Sequence, residues 1–221
     1  SSGKQLLSGS ADATARLWDV ASGVELRRFA GVEDWVEHVA FGPEDKTVLT
    51  SDDRTTRIWD IHTGALLRSF AGRLHGLFPG GKLVITATRE GVITLWDPRT
   101  GAERKRLAGN APGTCILMVS PDGKRLLATG PDETRAQLWE LDTALLIRRF
   151  AGYSAGINAV AFSANGRRIV TGSDDHTARL WDTLTGRQYL RLEGHGSRIN
   201  CTAFSPDGSR VVTGSGEMLL S

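Results

Sequence analysis

Carboxylates, hydroxyls and one histidine recur along this 221-residue chain in combinations that resemble the parts of a hydrolase. Asp12, Asp53 and Asp175 stand in turns ahead of tryptophans, Ser8 and Thr171 offer hydroxyls, and His195 offers an imidazole. A catalytic triad is recognised by one convergent geometry. Where these residues occur they keep one phase of the repeat, as structural residues do and catalytic ones do not. No Gly-x-Ser-x-Gly elbow and no phosphate-cradling glycine loop is present. His38, His62, His75, His176 and His195 show no zinc-ligand spacing with Cys115 and Cys201. The sequence therefore predicts no catalytic residue, no metal site and no cofactor.

The elements that position these side chains are set by a period. Trp18-Asp19, Trp59-Asp60, Trp96-Asp97, Trp139-Glu140 and Trp181-Asp182 follow one another at intervals of 41, 37, 43 and 42 residues. A repeat of about 40–45 residues ending in this dipeptide marks a β-propeller blade. Gly152 to Asp182 is the clearest unit. Ile157–Phe162 alternates without a polar parity, as a strand covered on both faces does. Ser163-Ala164-Asn165-Gly166 is a hairpin turn; Arg168–Thr171, Thr177–Trp181 and Gln188–Leu192 are the second, third and fourth strands. The predicted fold is all-β, with four-stranded antiparallel blades and about five blade equivalents over residues 1–221.

Fourth strands are predicted at Gly23–Phe29, Ala65–Phe70, Ala102–Leu107 and Leu145–Phe150, and each carries arginine or lysine. As outer edges they would use charge to discourage edge-to-edge pairing. The third repeat is short: seven residues separate Phe70 from Phe78, against eleven between Phe150 and Phe162. The deletion either leaves a notch at the blade rim or is neutral drift in a tolerant loop.

With the Trp-Asp pairs, Ser-Pro-Asp-Gly at Ser120–Gly123 and Ser205–Gly208, and the Ser/Thr-x-Ser-x-Asp turns, the chain resembles the WD-repeat family of β-propellers over nearly all its length. The resemblance implies a buried network of histidine, hydroxyl, aspartate and tryptophan in each blade. Here its members are Ser8, Asp12 and Trp18, then Asp53 and Trp59 with Leu49 at the hydroxyl position, then Thr171, Asp175 and Trp181. Gly-His occurs once, at Gly194-His195; Gly31-Val32, Gly72-Arg73, Gly109-Asn110 and Gly152-Tyr153 replace it elsewhere. The resemblance also implies a top-face rim that takes a protein or peptide partner: Trp35, Asp52, Arg73, Arg89, Tyr153, Asp174 and Arg198. Trp35 is read either as tucked into its blade or as a contact residue. A non-catalytic interaction scaffold is the leading reading. The alternative is a regulatory or sensor segment of a larger signalling ATPase, protease or kinase.

Forty per cent hydrophobic and 24% charged residues describe a chain that folds. A formal charge of +2 does not imply nucleic acid, and no apolar run is long enough for a membrane span. Cys115 and Cys201 fall in two different first strands and are expected to be buried free thiols in a cytoplasmic protein. The ends share a phase: Gly3–Ser10 aligns with Gly208–Ser215. Related propellers commonly close with about seven blades, within a range of 4–8. Two architectures are consistent with this. Either Ile199–Phe204 supplies the first blade's missing strand and His195 joins Asp12, Ser8 and Trp18, or the chain is part of a longer propeller or a homo-oligomer formed through unfinished terminal blades. The motif is abandoned over Gly216–Ser221.

Overall fold

In the computed structural model, which describes residues 3–32, 34–42, 45–78, 81–107, 116–130 and 133–216, every regular element longer than a single turn is a strand. The chain divides into two compact units, Ser1–Arg106 and Leu107–Ser221. In the first unit, β1 (Gln5–Gly9), β2 (Ala15–Asp19) and β3 (Glu25–Phe29) form a three-stranded sheet. Next comes a four-stranded sheet of β4 (His38–Phe41), β5 (Thr47–Ser51), β6 (Thr55–Asp60) and β7 (Leu66–Ala71). The third sheet holds β8 (Arg73–Leu77), β9 (Val84–Ala87), β10 (Ile93–Trp96) and β11 (Glu103–Leu107).

The second unit repeats the plan. β12 (Ile116–Val119), β13 (Arg125–Thr129), β14 (Arg135–Glu140) and β15 (Leu145–Ala151) form one sheet. β16 (Ile157–Phe162), β17 (Arg168–Ser173), β18 (Ala178–Asp182) and β19 (Gln188–Leu192) form the next. β20 (Ile199–Phe204) and β21 (Val211–Ser215) make a two-stranded sheet of their own. The four-stranded antiparallel meander is thus the repeating unit, as the period requires. Ile199–Phe204 is the first strand of its own sheet, paired with β21 from Phe204↔Val211 to Ile199↔Ser215.

Each tryptophan works at two levels. Within its sheet, the third strand carries a bulge beside it, at Leu17/Trp18, Ile58/Trp59, Leu138/Trp139 and Leu180/Trp181. Bulges re-aim side chains. Across sheets, three of the rings meet the phenylalanine of the preceding fourth strand: Phe29 with Trp59 at 6.0 Å, Phe70 with Trp96 at 5.2 Å, Phe150 with Trp181 at 5.5 Å between centroids. Tilted aromatic pairs of this kind contribute about 0.5–1.5 kcal/mol beyond their buried area. Around them lie the apolar clusters, such as Leu17, Phe29, Val48 and Trp59 in the first unit and Leu138, Phe150, Ile157 and Trp181 in the second.

The aspartate after each tryptophan holds the turn into the fourth strand. Asp60 Oδ1 accepts from the His62 and Thr63 amides and from the Thr63 hydroxyl at 2.7–3.0 Å. Asp182 does the same for Leu184 and Thr185, and Asp97 accepts from the Arg99 and Thr100 amides. The chain then turns at a left-handed glycine, Gly64 (φ 75°) or Gly186 (φ 74°), whose amide returns to the aspartate carbonyl. Because that glycine belongs to the turn, the fourth strands begin one or two residues later than the sequence predicts in the first three sheets.

Fourth-strand basic residues do more than guard an edge. Arg27 Nη1 donates to Thr63 O at 3.2 Å, and Arg68 Nε and Nη2 donate to Arg99 O at 3.2 and 2.6 Å. Arg148 Nε and Nη2 donate to Leu184 O at 3.0 and 2.5 Å. Each arginine stands two residues before the phenylalanine of its strand and ties that strand to the third–fourth turn of the next sheet. Edge protection alone does not account for this repetition.

Candidate functional site

The repeated polar residues assemble within each sheet. Trp18 Nε1 donates to Ser8 Oγ at 2.9 Å, Trp96 Nε1 to Thr86 Oγ1 at 2.9 Å and Trp181 Nε1 to Thr171 Oγ1 at 2.8 Å. The second sheet corrects the expectation of Leu49 at the hydroxyl position: Trp59 Nε1 donates to Thr50 Oγ1 at 2.8 Å. Its β5–β6 turn is one residue shorter, which moves the hydroxyl one place nearer the tryptophan.

The same deletion exchanges two carboxylates. Asp52, expected on the rim, is only 4% exposed and accepts from the Arg54 and Thr55 amides and from Arg57 Nη1 at 2.6 Å. Asp53, expected in the network, is instead ion-paired with Arg89. Asp12 and Asp175 stand where the sequence places them. Asp12 accepts from Thr14 and Arg16, and the Thr14 hydroxyl leads the bonds that hold its carboxyl down at about 2. Asp175 accepts from Thr177, with Arg179 at 3.7 Å.

Tyr153 is a second correction. It is 6% exposed, not on the rim. Its hydroxyl bonds the Thr171 hydroxyl and donates to Thr171 O at 2.9 Å; its ring packs against Trp181 and lies under the Arg179 guanidinium. Burial raises its phenol well above the ordinary value. Tyr153 thus fills the histidine's place in the Thr171–Trp181 network. His195 Nε2 lies 2.7 Å from Thr213 Oγ1, in the sheet of β20 and β21. Its hydroxyl partner is Thr213 of that same sheet.

Trp35 is 64% exposed. Val32 and Val36 on either side are buried against Trp59, so the loop is anchored while the indole is displayed. Next to this loop, Arg73 Nε donates to His38 Nε2 at 2.9 Å and pairs with Glu37 at 3.2 Å. The bond requires an unprotonated Nε2, and burial first, then the Arg73 charge, lowers the His38 pKa. Arg89 is exposed and raised by its bond to Asp53, with smaller contributions from the charges of Asp34 and Glu37.

The loop of the third repeat is reduced to a single residue between two strands. Gly72 alone separates β7 from β8, held by its amide on Arg54 O at 2.6 Å and its carbonyl on Thr56 Oγ1 at 2.8 Å. An open cavity of about 340 Å³ lies beside it, lined among others by Asp53, Arg54, Gly72, Arg89 and Glu90. Of the remaining rim residues, Asp174 is half-buried and accepts from Asn158 Nδ2, and Arg198 is half-buried. Cys201 is exposed rather than buried; Cys115 and residues 217–221 lie outside the described residues. Among the described residues, no helix is long and apolar enough to cross a membrane.

A family model described as WD domain, G-beta repeat matches residues 1–19, 23–60, 145–182 and 186–219, more than half of the chain. The unmatched middle contains the shortened loop at Gly72 and the Trp139-Glu140 variant of the dipeptide. Protein groucho of Drosophila melanogaster is 31% identical over 100 residues, 43% of this chain and 13% of that protein. Nuclear distribution protein PAC1 of Arthroderma otae is 28% identical over 156 residues, 63% of this chain and 34% of that protein. The match thus spans well under two thirds of either relative's length. Tryptophans bonded to strand hydroxyls, aspartates closing the next turn and the family match agree, and the chain belongs to the WD40 repeat family.

Proposed function

We propose that this chain is a non-catalytic interaction scaffold that holds a protein or peptide partner at the loop end of its second and third sheets. The observation that carries this reading is Trp35, a large aromatic displayed on a loop whose flanking valines are buried. Aromatic anchors dominate interface energies, and a loop carried by a rigid sheet is where binding residues concentrate. Beside it, the cavity at Gly72 offers Arg54, Arg89 and Glu90 for polar contacts around the anchor. Asp174 and Arg198 are lesser rim contacts of their own sheets, while Asp52 and Tyr153 are buried and take no part in binding. The exposed free thiol of Cys201 fits a reducing, cytoplasmic setting.

A second reading, a regulatory segment within a larger signalling protein, draws on the small share of each relative that the match covers. The experiment that tests the first reading is affinity selection of a partner on the wild-type chain, followed by titration of that partner against Trp35→Ala and Arg89→Glu. Binding weakened at least tenfold by Trp35→Ala supports it. Equal affinity for all three proteins rejects it.

A further inference from the structure

Three hairpins of the second unit close on the same kind of turn: Ser120–Gly123 between β12 and β13, Ser163–Gly166 between β16 and β17, and Ser205–Gly208 between β20 and β21. In each the glycine is left-handed, at φ 70°, 66° and 69°, and its amide donates to the serine carbonyl at 2.9, 2.8 and 2.8 Å. The residue before the glycine is aspartate in the first and last of these turns and asparagine in the middle one. We propose that Asn165 is a modification site, where spontaneous deamidation through Gly166 yields the aspartate that the same turn holds in the sheets before and after it.

Asn165 is the one asparagine of the chain that a glycine follows, and its side chain is exposed to water. Because Gly166 has no Cβ, its nitrogen has unhindered access to Asn165 Cγ. The nitrogen attacks that carbon, its proton leaves with the carboxamide nitrogen as ammonia, and a cyclic imide closes. One water then opens the ring. Cleavage between Cγ and nitrogen gives aspartate; cleavage of the original peptide bond gives isoaspartate, with an extra methylene in the main chain. Asp122 and Asp207 compete poorly for the same reaction, since an ionised carboxylate resists the attack. The hydroxyls of Ser120 and Ser205 come first among the bonds that keep those two carboxyls below the ordinary value.

The turn sets when the reaction can start and which product it keeps. Asn165 Oδ1 accepts from the Ser163 hydroxyl at 2.9 Å and from the Arg167 amide at 3.0 Å. Asp122 Oδ1 accepts from Ser120 at 2.5 Å and the Lys124 amide at 3.0 Å, and Asp207 Oδ1 from Ser205 at 2.5 Å and the Ser209 amide at 3.0 Å. Asparagine and aspartate are interchangeable in this closure on the amide two residues on. In the closed turn the Gly166 N–H is committed to Ser163 O, so the attack requires the turn to open, an event that costs less than global unfolding. Thr183 opposes the opening, with its hydroxyl on Gly166 O at 2.9 Å and its amide on Arg167 O at 3.1 Å. Aspartate recloses the turn with a charged acceptor for the Ser163 hydroxyl, the stronger kind of hydrogen bond. Isoaspartate lengthens the chain between Ser163 and Arg168, whose amide bonds Ser163 Oγ at 3.0 Å, and does not restore that register.

The test is storage of the full chain in mildly alkaline buffer, folded and in guanidinium chloride, with peptide mapping by mass spectrometry over time. In the folded chain, conversion is expected at Asn165 ahead of Asn158 and Asn200, which lie in strands. It should run several-fold more slowly there than in the denatured chain. The Asn165→Asp variant and the purified aspartyl fraction should melt at or above the wild type, and the isoaspartyl fraction below it. A folded chain that keeps Asn165 intact until it precipitates or unfolds overturns the proposal, as does one in which Asn158 or Asn200 converts first. Equal rates in the folded and denatured chains would show that the turn does not control the reaction. An Asn165→Asp protein that melts below the wild type would show that the turn is not suited to the product, and either result overturns the assignment.

Discussion

The Tyr153 hydroxyl meets Thr171 at the place in its sheet where, 42 residues later, the His195 imidazole meets Thr213 at 2.7 Å. A phenol and an imidazole thus serve the same threonine position in successive repeats. Tyr153→Phe should lower stability by about 1 kcal/mol, the net value of one buried hydrogen bond, because Thr171 retains Trp181. Tyr153→Ala should cost about 3–5 kcal/mol, since it also empties an aromatic site. Urea unfolding of the two variants measures both; a Tyr153→Phe protein as stable as the wild type would show that the hydroxyl contributes nothing.

Acid should loosen the turns before it loosens the core. Asp97 and Asp182 are held at about 2 against an ordinary value of 3.8, Asp97 first by Arg104 and Asp182 first by the Thr185 amide. A carboxyl depressed in the folded state stabilises fully above its unfolded pKa and loses that contribution as pH falls through the folded one. Stability should therefore be flat above about pH 4 with respect to these groups and decline between about 4 and 2. Asp97→Asn/Asp182→Asn should flatten that decline while lowering stability at neutral pH. An unchanged acid limb in the double variant would contradict this account of the turns.

Two left-handed backbone positions should both favour glycine over alanine. Ala144 sits at φ 58° in the turn where the other sheets place glycine, so Ala144→Gly should stabilise by about 1 kcal/mol. Gly72 sits at φ 95°, and a Cβ there would lie 2.8 Å from the Ala87 carbonyl oxygen. Gly72→Ala should destabilise by more than about 1 kcal/mol, because the strain and the clash add. Thermal melts of the pair test this, and the same sign of change in both would refute it.

The arginine ties give a position-specific prediction. Arg148→Ala removes the bond to Leu184 O and should cost about 1 kcal/mol. Arg149→Ala, an exposed neighbour on the same strand, should change stability by less than about 0.5 kcal/mol. Equal losses would return both residues to the role of edge charges.

How far the sequence could be read depended on whether a feature recurred in register. The blades, the Trp18–Ser8 and Trp181–Thr171 bonds and the turn carboxylates Asp12 and Asp175 follow from the period, because equivalent positions meet equivalent neighbours. The period failed where one residue was missing. A one-residue deletion in the β5–β6 turn moved the hydroxyl from position 49 to Thr50 and exchanged Asp52 with Asp53, which a fixed offset from Trp59 does not reveal. Gly152-Tyr153 stands in the sequence where another repeat has Gly194-His195, but the pattern does not show that the phenol turns inward to Thr171 rather than outward to the rim. The arginine ties were hidden because their acceptors are backbone carbonyls, which carry no side-chain signature. Trp35 stood undecided between core and surface until the burial of Val32 and Val36 fixed the loop around it.

The most direct measurement compares Trp35→Ala with Trp181→Ala for both partner affinity and unfolding free energy. The account predicts that Trp35→Ala weakens the selected partner at least tenfold and leaves stability within about 0.5 kcal/mol, as befits an exposed side chain. Trp181→Ala should destabilise by about 3–5 kcal/mol through the loss of a buried aromatic. A Trp35→Ala protein that binds the partner as tightly as the wild type, or that loses as much stability as Trp181→Ala, would contradict the claim that Trp35 is a binding anchor.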